Sequence, residues 1–494
     1  MPKSDIVLVK PNNQKALYGV LSDYALTAIE PPLWGAIWAG FLRKKGYAVH
    51  LIDAEALCLS QNQTAKRVAE LDPLVTVVVA SGSNPSASTM TMAGVQVLVE
   101  ELRSEAPDSK ILLAGLHPSA LPEQTLRGSG ADYVCQGEGF FTLAPLLDSL
   151  KSGRGTTNIP GLWLWDGDHV HGNSRPELLY DLDQLPLPAW DLLPMPSYRA
   201  HNWHCFDNIK LRAPYAVLYT SLGCPFQCSF CCINSMFGKN TIRYRGLNKV
   251  IEEIELLVRE YDVRNIKIMD EMFAMNEKRI ITLCDMIIER KLDLNIWAYA
   301  RVDTVTRPML SKFKQAGINW LAYGFESGSK KVLSNATKGY KTDQVMDVVQ
   351  LTKDNGIHIC ANYMFGLPED DYSTMNETLK LMLDINSEWA NIYCTMAYPG
   401  SRLYKQAVLE EWPLPKAWTG FSQHSPDSLP LPTRHLSGPQ VLSFRDYAFD
   451  VYFKNPRYLH MINRIFGEQA MLHIQEMAAK SLPRNNLPSG LNDA

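Results

Sequence analysis

Mostly apolar runs separated by segments of helix length set the pattern of the first 150 residues. DIVLV (5–9), AVHLID (48–53), VTVVVAS (75–81), KILLAG (110–115) and ADYVCQ (131–136) read as strands. Residues 32–46, 62–71, 87–105 and 120–127 read as the helices between them. The first of these segments closes on Lys44, Lys45 and Gly46. A basic last turn followed by glycine is how helices commonly end. Strands that stay apolar on both faces, alternating with helices, predict a parallel doubly wound sheet over residues 1–150. Such sheets bind ligands beyond the carboxyl ends of their strands.

The pattern then changes twice. GLWLWDGDHVHGN (161–173) alternates apolar with polar residues around a Gly-Asp turn and predicts a hairpin. DLDQLPLPAWDLLPMP (181–196) is proline-rich, so residues 151–210 are expected to be a hairpin plus an extended linker. Strand–helix alternation resumes at 211–405, with strands expected at 215–220, 264–269, 294–299, 319–324, 358–364 and 391–396. Six repeats in this length fall short of an eight-fold barrel, which takes about 250 residues. A partial (β/α)6 barrel is expected, with its chemistry where strands pass into loops. Residues 406–494 hold a proline-rich stretch and then helical sequence, expected to pack on the barrel and to help line a pocket.

Composition narrows the function classes. Charged residues are 20% and the net charge is −4, without a basic block, so no nucleic-acid partner is expected. The longest apolar runs are too short to span a bilayer. The chain enters a strand at once, without a leader-like segment, so a cytoplasmic location is expected. Cysteines kept reduced there favour metal or redox chemistry over disulfides.

Four of the ten cysteines fall within SLGCPFQCSFCCIN (221–234). Cys224, Cys228 and Cys231 are spaced C-x3-C-x2-C in a loop after the first barrel strand, where three thiolates can converge. Structural zinc takes four ligands, and His201, His204 or Cys205 could supply the fourth. A [4Fe–4S] cluster held at three corners would leave one iron open to a ligand. Cys232 is expected to pack as a small apolar residue, and the scattered cysteines as core.

With Phe230 before the third cysteine, this C-x3-C-x-φ-C loop resembles that of the radical S-adenosylmethionine (radical SAM) superfamily. Further segments fall in matching order at strand ends. IKIMDEMFAMN (266–276) is similar to the second-strand segment, which places Asp270 and Glu271 near the methionyl ammonium. WAYARVD (297–303) places Arg301 near the carboxylate or ribose. LAYGFESGSKKVL (321–333) places Glu326 and Ser327 beside ribose or carboxylate. NYMFGLPEDD (362–371) and MAYPGSRLY (396–404) place Gly366 and Tyr398 at the adenine.

The N-terminal region resembles the cobalamin-binding domain that precedes the barrel in many such enzymes. Its segments ASGSNPSAST (80–89), AGLHPSALPEQTL (114–126) and QGEG (136–139) imply contacts from Ser81, Ser83, Asn84, Gly115, His117, Pro118, Gly137 and Glu138. The cobalt-ligating D-x-H-x-x-G motif is absent from VKPNNQKALYGVL (9–21), so no histidine ligand on the lower face is expected. A dinucleotide is unsupported, because G-x-G-x-x-G is lacking too.

The resemblance implies a cobalamin-dependent radical SAM enzyme, foremost a methyltransferase. One S-adenosylmethionine would methylate cobalamin. A second would yield a 5′-deoxyadenosyl radical that activates an unactivated carbon of a small molecule. An external donor of flavodoxin or ferredoxin type would supply electrons. Ring contraction, cyclisation and phosphorus methylation remain open on the same cofactors, as does a non-catalytic cobalamin or redox sensor.

Overall fold

The computed structural model describes residues 4–24, 26–82, 88–340 and 344–486. The N-terminal region runs β1 (Ser4–Lys10), α1 (Gln14–Tyr18), α2 (Leu33–Lys44), β2 (Val49–Asp53), α3 (Gln61–Leu71), β3 (Pro73–Ala80), α4 (Met92–Glu105), β4 (Lys110–Gly115), α5 (Leu116–Ala120), α6 (Pro122–Ser129), β5 (Tyr133–Cys135) and α7 (Leu143–Ser152). β1 to β5 are parallel, in the order β2-β1-β3-β4-β5. Alternate strand residues enter two cores. Ile6, Leu8, Val75 and Val77 pack with α2 and α7, whereas Val7, Val9, Val78 and Ala80 pack with α3 and α4. Burial on both faces explains the unbroken apolar runs.

The hairpin of β6 (Leu162–Asp166) and β7 (His169–Gly172) does not stand apart from this sheet. β6 pairs antiparallel with β5, setting Leu162 opposite Cys135, so the sheet has seven strands.

The second half holds β8 (Tyr215–Leu218), β9 (Ser221–Leu222), α8 (Asn234–Phe237), β10 (Arg243–Tyr244), α9 (Leu247–Tyr261), β11 (Asn265–Ile268), α10 (Glu277–Glu289), β12 (Asn295–Ala300), α11 (Arg307–Gln315), β13 (Ile318–Glu326), α12 (Lys330–Asn335), α13 (Val345–Asp354), β14 (His358–Phe365), α14 (Tyr372–Ile385) and β15 (Trp389–Cys394). Six strands pair in parallel in the order β15-β14-β13-β12-β11-β8, leaving the barrel open between β15 and β8. At the amino ends of the strands the Trp203 ring meets those of Trp297 and Trp320, each at 5.2 Å, and stacks on Trp389 at 6.3 Å. This cluster plugs the lower end of the lumen.

α15 (Arg402–Leu409), α16 (Gly438–Phe453), α17 (Pro456–Phe466) and α18 (Glu468–Ala478) complete the chain. Ser437 and Gln440 form a capping box that starts α16, and Tyr452 further along donates to the carbonyl of Ser387 at 2.7 Å. α16 thereby covers the exposed edge of β15. No helix of the described residues is long and apolar enough to cross a membrane.

Candidate active site

The loop after β9 turns at Gly223, whose φ is +92°. A Cβ there would lie 2.3 Å from the carbonyl oxygen of Thr241, so only glycine lets the chain double back at this point. The loop is held by Ser229, whose N–H donates to Ala336 O at 3.0 Å and whose carbonyl accepts from Leu403 N at 2.9 Å. Cys224, Cys228 and Cys231 are half-buried and line one cavity of about 940 Å³. Cys232 is buried in the core instead. Burial pushes the Cys224 thiol up to about 11 and that of Cys231 up to about 12.

Strand ends supply the surrounding polar groups. Glu271 accepts from Gly223 N at 2.9 Å through Oε2, while its buried Oε1 has no partner among the described residues. Burial raises this carboxyl to about 8. Asp270, its neighbour, is turned away: its carboxylate accepts from Thr220 N at 2.6 Å and from the hydroxyls of Thr220 and Ser221 at 2.5 and 2.6 Å. Arg301 donates to both oxygens of Asp303 at 2.9 Å, and its Cζ lies 3.9 Å from the centre of the Phe226 ring. Glu326 sits at φ +60° and accepts from Lys338 Nζ at 2.6 Å. Phe230, Glu271, Arg301, Glu326, Lys338 and Tyr398 all line the cavity with the cysteines.

Two other expected contacts sit elsewhere. Ser327 is fully buried and shares a hydrogen bond of 3.1 Å with Thr378 Oγ1. Gly366 has φ +86°, and a Cβ on it would lie 2.5 Å from Val441 Cγ1 of α16. Its lack of a side chain serves the seating of that helix. Lys338 was not singled out from sequence. It comes from the loop after α12, and nothing local marks it as a partner of Glu326.

On the N-terminal side, Ser81 and Gly115 line a second cavity of about 50 Å³ between the sheet and the barrel. Gly82, Ile233 and Glu271 border both cavities. Gly115 has φ +138°, and a Cβ on it would lie 2.2 Å from Ala80 O. His117 Nδ1 lies 3.1 Å from Thr89 Oγ1, and its ring meets that of Trp418 edge-on at 5.0 Å. Burial lowers its pKa to about 4, so the ring is neutral near pH 7. Pro118 is buried in α5, and Gly137 N donates to Ser119 Oγ at 2.9 Å. Glu138 accepts from both terminal nitrogens of Arg243, at 2.6 and 2.9 Å, which joins the two halves. Ser83 and Asn84 lie outside the described residues. Trp418, missed from sequence, arrives from the segment before α16.

The donor sets fit the groups that the sequence resemblance implies. Three thiols from one tight loop open on a single cavity, a donor set that would suit a cluster held at three of its irons. A single zinc ion would instead draw its ligands to about 2.3 Å from one point. Among the described residues no three His, Cys, Asp or Glu side chains are so grouped. The orphaned Glu271 Oε1 fits an ammonium. Small residues at the ends of β3 and β4 leave backbone exposed to the narrow cavity of about 50 Å³, with Glu271 on the wall it shares with the larger one.

Comparison with known proteins agrees. Residues 218–382 match the model of the radical SAM superfamily, and residues 25–147 match that of the B12 binding domain. An uncharacterised methyltransferase of Pyrococcus horikoshii is 28% identical, over 92% of this chain and 93% of its own. The anaerobic magnesium-protoporphyrin IX monomethyl ester cyclase of Rubrivivax gelatinosus is 28% identical, over 76% of this chain and 66% of its own. The fold is similar to that of the radical SAM methyltransferase TsrM from Kitasatospora setae, solved with cobalamin and a [4Fe–4S] cluster. Their TM-score is 0.68 at 14% identity, covering 96% of this chain and 99% of that one. Residues 25–147 thus carry a B12-binding domain and residues 218–382 a radical SAM domain, and the cofactors these support are a [4Fe–4S] cluster, S-adenosylmethionine and cobalamin.

Proposed function

We propose that the protein methylates an unactivated carbon of a small molecule. When bound, the cluster and S-adenosylmethionine supply hydrogen-atom abstraction, and cobalamin supplies methyl transfer. The observation that carries this reading is the 940 Å³ cavity, about the size of a small-molecule site. It is bounded by the cysteine loop, by the barrel strands, and by Gly82 and Met90 of the N-terminal half. A substrate held there faces both halves at once.

The chain's residues take these roles. Cys224, Cys228 and Cys231 hold the cluster. Glu271 Oε1 accepts from the methionyl ammonium. Arg301, oriented by Asp303, and Glu326, oriented by Lys338, address the carboxylate and ribose, and Phe230 and Tyr398 flank the nucleoside. Ser81, Gly115 and the His117–Pro118 turn border the corrin, with Glu138 fixing the barrel against them. The plug at Trp203 excludes water from below, which matters because a carbon radical reacts with whatever lies nearest. Electrons come from an external flavodoxin- or ferredoxin-type protein.

The likeness to a cyclase supports a second reading, in which the radical step ends without methyl transfer. Nucleoside products separate the two. Methylation consumes S-adenosylmethionine in two ways and releases S-adenosylhomocysteine and 5′-deoxyadenosine together. Anaerobic reduction of the cobalamin-loaded protein is expected to release both. 5′-Deoxyadenosine alone would overturn methylation in favour of the cyclase-type outcome.

A further inference from the structure

Beyond the cofactor groups, the α16 wall of the same cavity carries a positive charge that nothing among the described residues balances. Arg445 of α16 lines the cavity and is only 4% exposed. Its Nε donates to Ile392 O at 2.8 Å and its Nη1 to Asp446 Oδ1 at 2.9 Å. Its Nη2 donates to no described residue. Asp446 is already shared, because Arg484 donates to its two oxygens from Nε and Nη2, each at 2.9 Å. Arg484 is tied down further through Nη1, which donates to Gln423 O at 2.7 Å.

Two buried guanidinium groups thus divide one carboxylate, and the wall keeps one net positive charge. Other charged groups nearby do not cancel it. Lys454 is matched by Asp450 at 2.8 Å. His424, at the same wall, is neutral, since burial and the two arginines lower its pKa to about 3. A buried charge without a partner is costly, so an arrangement that maintains one is completed by a ligand of opposite sign. Aromatic rings lie close by: Arg445 Cζ is 5.2 Å from the centre of the Phe449 ring, and Tyr18, Tyr393 and Tyr398 line the same cavity.

We infer that Arg445 binds an anionic oxygen group of the substrate, a carboxylate or a phosphate, whose apolar body fills the barrel lumen. A guanidinium with a free Nη matches the geometry of either anion. Such a role presupposes that the cavity is the substrate site proposed above. It narrows the substrate to amphiphilic anions and makes α16 a determinant of specificity.

Equilibrium dialysis of the cofactor-loaded full chain against 1-naphthol, 1-naphthoate and 1-naphthyl phosphate tests the inference. At least one anion is expected to bind about ten-fold or more tightly than naphthol, the value of a hydrogen bond to a charged group. The tighter of the two anions names the group. Arg445→Gln is expected to abolish the preference while leaving naphthol binding unchanged, and Arg445→Lys to keep part of it. Naphthol binding as tightly as both anions would overturn the inference. So would a preference that survives Arg445→Gln in protein of unchanged Tm. Should Arg445→Gln fail to fold, the ranking on the unmodified chain decides alone. Release of 5′-deoxyadenosine, read separately without any naphthyl compound, reports on the catalytic reading and not on the anion preference.

Discussion

The ammonium of Lys338 lies 2.6 Å from Glu326 Oε1, and both side chains line the cavity onto which the three cysteines open. Each is 7% exposed. Burial works against the charged form of Lys338, yet Glu326 holds its pKa above the ordinary lysine value, so the ammonium stays charged. Lys338 also accepts from Arg301 Nη2 through its backbone carbonyl at 2.7 Å. One loop therefore orients two of the groups expected around S-adenosylmethionine.

Lys338→Met leaves the Glu326 carboxylate buried and unpaired. Loss of one partner of a buried pair costs about 3–5 kcal/mol. The variant is expected to unfold at lower temperature and to bind S-adenosylmethionine more weakly. Lys338→Met with Glu326→Gln should recover most of the stability but not the binding. Calorimetry and dialysis read the two effects separately.

Glu138 and Arg243 form the corresponding clasp between the two halves, at 5% exposure each. Arg243 also donates to Leu179 O at 2.7 Å, and Glu138 O accepts from Trp38 Nε1 at 2.7 Å. Arg243→Met is expected to cost a similar ~3–5 kcal/mol. It should also raise proteolytic nicking in the linker over residues 173–181. Unchanged stability would mean that the halves are held by apolar packing alone.

Gly366 tests the seating of α16. Gly366→Ala places a methyl group against Val441 at positive φ, and strain plus overpacking are expected to cost about 2–4 kcal/mol. Val441→Ala in the same chain should return the overpacking part, leaving the backbone strain of about 1–2 kcal/mol. If the double variant recovers nothing, the helix does not rest on this contact.

His204 predicts a pH dependence of stability. It is 1% exposed, and neither ring nitrogen has a hydrogen-bond partner among the described residues. Burial lowers its pKa from 6.5 to about 3. Between those values the unfolded chain binds a proton that the native chain does not, so stability falls as pH drops from 6.5 toward 3. His204→Phe removes both the unpaired nitrogens and that proton. It is expected to add about 1–2 kcal/mol at pH 5 and to flatten the slope of Tm against pH. An unchanged slope would show that the native ring titrates as it does in the unfolded chain.

The broad architecture was legible because its signals are local. Apolar runs such as VTVVVA occur where a strand is buried on both faces, and the cysteine triad lies in one loop. Contacts between distant segments were not legible. The hairpin at 162–172 was readable as a hairpin, but its pairing with Cys135 depends on register across some 27 residues of chain. Asp270 and Glu271 look alike in sequence. Which of them faces the cavity depends on whether Thr220 and Ser221 capture the neighbour. Gly366 marks a close approach, but the approaching group is Val441 from a helix far along the chain. Lys338 and Arg445 are ordinary residues until the fold sets one against Glu326 and the other between Ile392 and Asp446.

The most direct test is electron paramagnetic resonance of the reduced, anaerobically reconstituted chain, with and without S-adenosylmethionine, in parallel with Cys228→Ala. A [4Fe–4S] signal that changes on adding S-adenosylmethionine, with release of 5′-deoxyadenosine, is predicted for the native sequence. Cys228→Ala is predicted to show neither signal nor release. A cluster signal indifferent to S-adenosylmethionine, or one that survives in Cys228→Ala, would contradict the account.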